Sequence, residues 1–405
     1  MFSRDNVSLF GLIIGLFILP IFIFSDPPEG LSRIGWLTAG VALLMTIWWV
    51  TEAIPIYFTG IIPLILFPIF NIFDLKLITS SYAHPLVLLF LGGFIIASAM
   101  EACGLHKRIA LNIIQLIGTN VKNVILGFMV ATAFLSMWIS NTATSVMMLP
   151  IGMSIISQLM DNPKTVENEN QNFGKALMLA IAYSASIGGM ATLIGTPPNL
   201  VLATIVQETY GIEITFSKWF MFGLPISLIL LAICWKYLTE IAFTFKQKKF
   251  PGGRNEINKQ LKSLGKLSYE EKMVLLIFVG TAFAWITRSF LLQKLIPNLD
   301  DTIIAVIAGI LLFILPASKS KNRKLINWEE AVKLPWGILL LFGGGLALAQ
   351  GFKTSGLAEW IGGQLTLLEG ASIFILLLFL IALVNFLTEI TSHLATTALI
   401  LPILA

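Results

Sequence analysis

Two short polar motifs interrupt long apolar stretches of this 405-residue chain. The first is Ser140-Asn141-Thr142, and the second is Gly195-Thr196-Pro197-Pro198-Asn199. A helix that starts at such a motif presents N–H groups that favour a carboxylate or similar anion, and one that ends there presents carbonyl groups that suit a hard cation such as Na+. Hydroxyl and amide side chains complete either site without adding fixed charge. The motifs therefore predict a site for a small anion and a cation.

The alternative is that these polar groups only hold helices together, which is the better interpretation of an isolated Ser-x-Thr. An internal repeat favours binding instead. At a constant offset of 252 residues, six of the twelve residues 140–151 match their partners, as do eight of the eighteen residues 88–105. Roughly one match in ten is expected by chance in so apolar a chain, so the repeat indicates duplication. Duplicated halves in a very apolar chain are typical of transporters.

The composition places the motifs inside a membrane. Hydrophobic residues make up 57% of the chain and charged residues 12%, and the mean hydropathy is +0.88. A soluble domain with a wetted surface could not carry these values. Apolar runs of spanning length predict transmembrane helices near residues 9–25, 35–51, 54–72, 86–103, 219–243, 273–292, 302–316 and 336–352.

Three longer apolar tracts require special geometry. Residues 121–160 begin and end on the same side of the membrane, which predicts a helical hairpin, and its small uncharged tip favours a re-entrant turn. Residues 176–208 predict two half-helices joined at mid-membrane, because glycine and proline interrupt the run. Residues 371–405 predict a second hairpin. Residues 105–118, which are basic at one end, predict an interfacial helix.

The basic residues predict the orientation. With a cytoplasmic N-terminus, nineteen Lys and Arg residues fall in inner loops and five in outer loops, as the positive-inside rule requires. Residue 88 then begins a span that runs inward and residue 340 one that runs outward, so the halves are inverted repeats. The basic stretch 244–272 is a connector between them, which explains its charge better than nucleic-acid binding. The predicted fold class is an all-α polytopic membrane protein of inverted repeats, with re-entrant helical hairpins and a broken helix.

Enzymatic chemistry has little support in the sequence. An intramembrane enzyme needs a nucleophile with a base or a metal cluster, and neither His-Glu-x-x-His nor Gly-x-Ser-x-Gly occurs. Carboxylates within the spans are limited to Glu52, Glu101 and Glu389, and we interpret the first and last as partners of nearby helix ends. Cys103 and Cys234 are interpreted as buried membrane residues. We predict a transporter with no enzymatic activity and no organic cofactor.

Four motifs in order resemble one transporter family. They are Ser140-Asn141-Thr142 with Thr144 and Leu149-Pro150, the stretch from Gly195 to Asn199, Trp48-Trp49-Val50-Thr51-Glu52-Ala53-Ile54-Pro55, and Thr388-Glu389-Ile390-Thr391-Ser392. Together they resemble the divalent anion/sodium symporter family, the sodium-coupled dicarboxylate, citrate and sulfate carriers. The resemblance runs from about residue 36 to the end of the chain.

The resemblance implies an architecture and a set of ligands. Each protomer of a homodimer has a scaffold and a transport domain, which moves by an elevator motion and carries a small anion with Na+. The implied first Na+ site consists of Ser136, Ser140, Asn141 and the Gly195 backbone, and the second of Thr388, Thr391 and position 393. The implied substrate residues are Asn141, Thr142, Thr196, Pro198 and His393.

The implied domain boundaries follow the repeats. Scaffold spans with an interfacial helix occupy 1–120 and 273–370, the transport domain occupies 121–208 and the hairpin 371–405, a single span occupies 209–243, and a cytoplasmic linker occupies 244–272. Adding 252 to Gly195 and Asn199 gives positions 447 and 451, beyond Ala405. On this arithmetic we expect the sequence to lack about two membrane elements of the family and, as it stands, not to transport. The expected location is a bacterial inner membrane.

His393 departs from the family pattern, which most often has Ser-Asn-Thr where this chain has Ser392-His393-Leu394. A protonated imidazole could supply the positive charge that Na+ otherwise brings, as expected of a sodium-independent dicarboxylate exchanger. A neutral imidazole that donates one hydrogen bond is the other interpretation, and it leaves sodium coupling intact. The sequence leaves both open.

Overall fold

The computed structural model describes residues 4–118, 120–160, 167–245, 253–318, 321–365, 372–390 and 393–404. The helices up to residue 236 are α1 (Arg4–Phe24), α2 (Arg33–Thr51), α3 (Ile56–Thr59), α4 (Ile62–Ile69), α5 (Leu75–Tyr82), α6 (Pro85–Ala102), α7 (Leu105–Ile117), α8 (Val121–Ser136), α9 (Asn141–Met160), α10 (Glu167–Gly189), α11 (Pro197–Tyr210) and α12 (Phe216–Lys236). Those that follow are α13 (Gly253–Ser263), α14 (Tyr269–Thr287), α15 (Gln293–Leu295), α16 (Asp301–Ile314), α17 (Trp328–Ala331), α18 (Trp336–Thr354), α19 (Leu357–Leu365), α20 (Ile373–Ile390) and α21 (His393–Leu404). Turns of π-helix follow α12 and α14, and a short antiparallel pair joins β1 (Pro316–Ser318) to β2 (Lys321–Lys324).

Within the described ranges, six helices are long and apolar enough to cross a membrane: Asn6–Phe24, Arg33–Thr51, Leu75–Ala102, Phe216–Ala242, Tyr269–Leu295 and Trp336–Thr354. Large apolar side chains on these helices are exposed, as Phe24 and Met221 illustrate. Surface of this kind suits lipid rather than water. The predicted class, an all-α polytopic membrane protein, is confirmed.

The span predicted over residues 54–72 is not one regular helix, because the chain there forms α3 and α4 with a break at Gly60. The Gly60 carbonyl accepts a hydrogen bond of 2.6 Å from the Tyr82 hydroxyl. A side chain on Gly344 would overlap that same carbonyl, so α18 approaches the break at backbone distance. Pro63 begins the new helix in its first turn, where a missing N–H costs nothing.

The chain divides into two compact units. The first comprises residues 1–88, 200–214 and 335–405, and in it α18 packs against α3, α5 and α21. Ser81 donates a 3.3 Å hydrogen bond to Gln350 in this packing. The second comprises residues 89–199 and 215–334, and in it α10 packs against both α8 and α9. The first polar motif and the break at residues 190–196 both belong to the second unit.

A buried ion pair lies in the second unit. Arg288 Nε is 2.8 Å from Asp301 Oδ1, and both side chains are almost fully buried. The other Asp301 oxygen accepts the Phe216 N–H at 2.9 Å, so the pair joins the start of α12 to the start of α16. The prediction that carboxylates within the spans are limited to three glutamates is wrong, because Glu240 lies in the span Phe216–Ala242. Asp301, by contrast, begins the shorter helix α16, one residue before the predicted run 302–316.

The basic connector contains a docked helix, which the sequence analysis did not predict. On α13, Asn258 accepts a 2.7 Å hydrogen bond from Gln115 of α7, and Gln260 donates one of 2.9 Å to Ser154 of α9. Arg108 of α7 pairs with Glu271 at 2.7 Å. Glu271 also completes a capping box with Ser268 at the start of α14. These contacts fix α13 against α7, which precedes the predicted hairpin, and against α9, which is its second arm.

Candidate functional site

The first polar motif lies where two helices meet. Helix α8 ends at Ser136 and α9 begins at Asn141, so only four residues connect the arms of the predicted hairpin. Trp138 in this connection stacks almost parallel to Trp285 and Phe216, with ring centroids 6.4 and 6.0 Å away, and meets Phe278 edge-on. Aromatic packing of this kind holds the connection in one conformation. The two-helix arrangement predicted for residues 121–160 is confirmed.

Ser136 and Asn141 meet at this tip. The Ser136 hydroxyl is fully buried, 2.8 Å from Asn141 Oδ1 and 2.7 Å from the Ala185 carbonyl oxygen. A hydroxyl has one hydrogen and can donate to only one of these two oxygens. The remaining oxygen contact is satisfied if the Asn141 amide turns its NH2 group toward Ser136, or if a cation is coordinated there. The donor set, which consists of neutral oxygens, fits Na+.

The broken helix lies against the same tip. Helix α10 ends at Gly189 and α11 begins at Pro197, which confirms the predicted break. A Cβ on Gly195 would lie 2.5 Å from the Gly189 carbonyl oxygen and 3.0 Å from the Ser136 carbonyl oxygen. A side chain on Gly189 would overlap the Asn141 amide oxygen. Ser136, Asn141 and Gly195, three of the predicted first Na+ ligands, are therefore brought together around Gly189.

Asn199 and Thr192, which the sequence analysis did not name as site residues, hold the break in shape. The Asn199 amide donates to the Gly189 carbonyl at 3.0 Å and to the Thr192 carbonyl at 2.7 Å. Carbonyls at a helix end have no helical partner, and burying them unpaired in an apolar setting is costly. A polar residue beside a helix break is the sequence signal for a side chain that pairs these carbonyls. Asn199, the last residue of the motif that begins at Gly195, carries this signal.

The two helix starts at the tip differ in what they offer an anion. The first turn of α9 begins with Asn141 and Thr142. The N–H groups at these positions have no carbonyl partner within the helix. The first two residues of α11 are Pro197 and Pro198, which have no N–H. Helix α9 thus supplies hydrogen-bond donors and the positive end of a dipole, whereas α11 supplies the dipole alone from those two positions.

The other predicted residues of the first motif lie around this centre. Ser140 caps α9, since its hydroxyl accepts the Ala143 N–H at 3.4 Å and its carbonyl accepts the Thr144 N–H. The side chain of Thr142 is exposed, and those of Thr196 and Pro198 are half-buried. The roles of Thr142, Thr196 and Pro198 in anion binding stay predictions.

The repeat of the first motif, at residues 388–394, belongs to the first unit. Thr388 donates a 2.8 Å hydrogen bond to the Asn385 carbonyl near the end of α20, and His393, which is exposed, begins α21. The following residues Leu394 and Thr396 are buried. Thr391, a predicted Na+ ligand, lies outside the described residues. The second Na+ site therefore stays a prediction.

Comparison with known proteins decides the family. The family described as "Sodium:sulfate symporter transmembrane region" matches residues 6–405. The chain belongs to this family. The predicted resemblance to divalent anion/sodium symporters is thereby confirmed for the chain as a whole.

Similar proteins are found in two staphylococci. The sodium-dependent dicarboxylate transporter SdcS of Staphylococcus saprophyticus is 46% identical over 410 residues, which cover 100% of this chain and 79% of the relative. The protein of the same name in Staphylococcus aureus strain USA300 is 47% identical over 405 residues, which cover 98% of this chain and 78% of the relative.

Proposed function

We propose that this protein is a secondary active transporter that moves a small divalent anion across the membrane together with Na+. The observation that carries the proposal is the meeting of Ser136 and Asn141 with the helix break at Gly189 and Gly195. Neutral oxygens there suit Na+, and the start of α9 beside them suits a carboxylate. The named relatives support a dicarboxylate such as succinate over citrate or sulfate.

Several finer features belong to the same proposal. Asn141, Thr142, Thr196, Pro198 and position 393 hold the anion, and Thr388 with Thr391 contributes a second Na+ site. The protein acts as a homodimer with an elevator-type transport domain in a bacterial inner membrane, with its N-terminus in the cytoplasm. The naming of its relatives as transporters supports the prediction that it is not an enzyme.

Uptake by proteoliposomes tests the proposal. Labelled succinate should enter when an inward Na+ gradient is imposed, and unlabelled citrate or sulfate should compete if it shares the site. Asn141→Ala should abolish this uptake, because it removes an oxygen from the cation site and a group beside the anion. Asn112→Ala is the matched control, since Asn112 is an exposed helical amide that bonds only its own helix at the Arg108 carbonyl.

The outcome separates the competing functions. Wild-type rates in Asn141→Ala would contradict the placement of the site at the first tip. Succinate counterflow that persists without Na+, and that is lost in His393→Asn, would favour the sodium-independent exchanger. Strict Na+ dependence that is unchanged in His393→Asn would exclude it.

A further inference from the structure

The hydroxyl of Thr192 links the two halves of the first site. Its side chain is fully buried in the break between α10 and α11. Thr192 Oγ1 donates to the Met137 carbonyl in the tip connection, and it accepts the Gly195 N–H at 3.0 Å. One hydroxyl thus donates to a carbonyl of the tip connection and accepts an N–H of the loop between α10 and α11.

These two backbone groups adjoin the proposed cation ligands. Met137 follows Ser136 directly, and Gly195 is itself a proposed ligand through its backbone. The Gly195 N–H also donates to the Thr192 carbonyl at 3.4 Å, which is a longer bond than the one to the hydroxyl. The Thr192 hydroxyl therefore sets the distance between the end of α8 and the loop that carries Gly195.

We propose that Thr192 is a positioning residue for Na+ binding, and that its hydroxyl, without contacting the ion, holds the Ser136 end of α8 and Gly195 at the spacing that the cation requires. The inference rests on the proposed function, because Na+-coupled uptake is its main readout. Cation coordination depends steeply on ligand spacing, so loss of the hydroxyl weakens Na+ binding more than it slows a saturated transporter.

Three variants test this role. Thr192→Val keeps the shape of the side chain and removes the hydroxyl, whereas Thr192→Ser keeps the hydroxyl. Thr281→Val is the matched control, because Thr281 is also buried and its hydroxyl bonds only the Ile277 carbonyl one turn earlier, at 2.7 Å. Succinate uptake by proteoliposomes is measured against Na+ concentration, and Na+-dependent thermal stabilisation of the purified protein is measured without substrate.

The half-saturating Na+ concentration should rise about tenfold in Thr192→Val, as expected for the loss of one orienting hydrogen bond, while the rate at saturating Na+ falls less than twofold. Thr192→Ser and Thr281→Val should stay within about twofold of the wild type in both quantities. A wild-type Na+ requirement in Thr192→Val, or an equal defect in Thr192→Ser, would overturn the proposal. If Thr192→Val is not recovered folded, Thr192→Ala against Thr192→Ser decides in the same way. Absence of Na+-dependent uptake in the wild type would instead refute the proposed function.

Discussion

Adjacent glycines at the end of α10 have different neighbours. A side chain on Gly188 would overlap the backbone carbonyl of Ala133 in α8, which can move only if the helices separate. A side chain on Gly189 would overlap the amide oxygen of Asn141, which is the far end of a side chain and can rotate away. Substitution at Gly188 therefore acts on packing, whereas substitution at Gly189 acts on the proposed cation site.

We expect Gly189→Ala to fold but to bind Na+ poorly, because the displaced Asn141 amide no longer faces Ser136. The half-saturating Na+ concentration for succinate uptake should rise at least about tenfold, a change of about 1.4 kcal/mol in binding free energy. Gly188→Ala should instead lower the thermal midpoint of the purified protein. Gly280→Ala is the control for both, since its added carbon meets no atom of the described residues within 4 Å apart from its own helix backbone and chain neighbours. Normal Na+ dependence in Gly189→Ala would show that the Asn141 amide is not a ligand.

At the first site, the sequence motif and the helix break coincide. The structure brings Ser136, Asn141 and Gly195 together there, and their role as Na+ ligands stays a prediction. The sequence did not identify Thr192 as a site residue. An isolated threonine in an apolar stretch cannot be distinguished there from threonines whose hydroxyls bond a carbonyl of their own helix. Its role depends on a carbonyl fifty-five residues away in sequence, which no local pattern records.

At the scale of elements, helix boundaries followed hydrophobic runs and breakers closely. Helix α2 and the span at Trp336–Thr354 coincide with predicted runs to within two residues. The break at Gly60 and the docking of α13 were missed. Both arise from contacts with distant helices, and α13 is too polar to stand out as a membrane element.

Helix α7 offers a test of its packing through pH. His106 near its start is buried, with Nδ1 3.1 Å from the Met100 carbonyl oxygen. Burial lowers the pKa of His106, and the neighbouring charge of Lys107 lowers it further, although the hydrogen bond to Met100 opposes the shift. The unfolded chain, with a histidine pKa of about 6.5, therefore takes up this proton at higher pH than the folded protein.

His106 should consequently contribute stability that is fully present above about pH 6.5 and is lost as the pH falls below that value. The thermal midpoint of the purified wild type should drop between pH 7.5 and pH 5.5. In His106→Gln the drop should be smaller, because the side chain no longer titrates. Asn112→Ala, which alters an exposed residue of the same helix that does not titrate, is the control and should keep the full drop. An unchanged drop in His106→Gln would contradict this source of pH sensitivity.

At the scale of the whole molecule, hydropathy indicates which helices can cross the membrane, and charge indicates their orientation. Six described helices satisfy the length and composition of membrane spans. Hydropathy gives no direction across the membrane, which rests entirely on the asymmetry of nineteen inner against five outer basic residues. The side of the membrane on which each loop lies is therefore open to direct measurement.

Lys259 on α13 and Lys294 are both exposed. The span Tyr269–Leu295 begins after α13, and Lys294 is its last residue but one. In a Cys103→Ser, Cys234→Ser background that retains uptake, Lys259→Cys and Lys294→Cys each introduce one thiol. A membrane-impermeant maleimide applied to intact cells should label Lys294→Cys at once and Lys259→Cys only after permeabilisation, because the predicted orientation places the basic connector on the cytoplasmic side. The reverse pattern would invert the orientation. Labelling of both variants in intact cells would show that the helix between them does not cross the membrane.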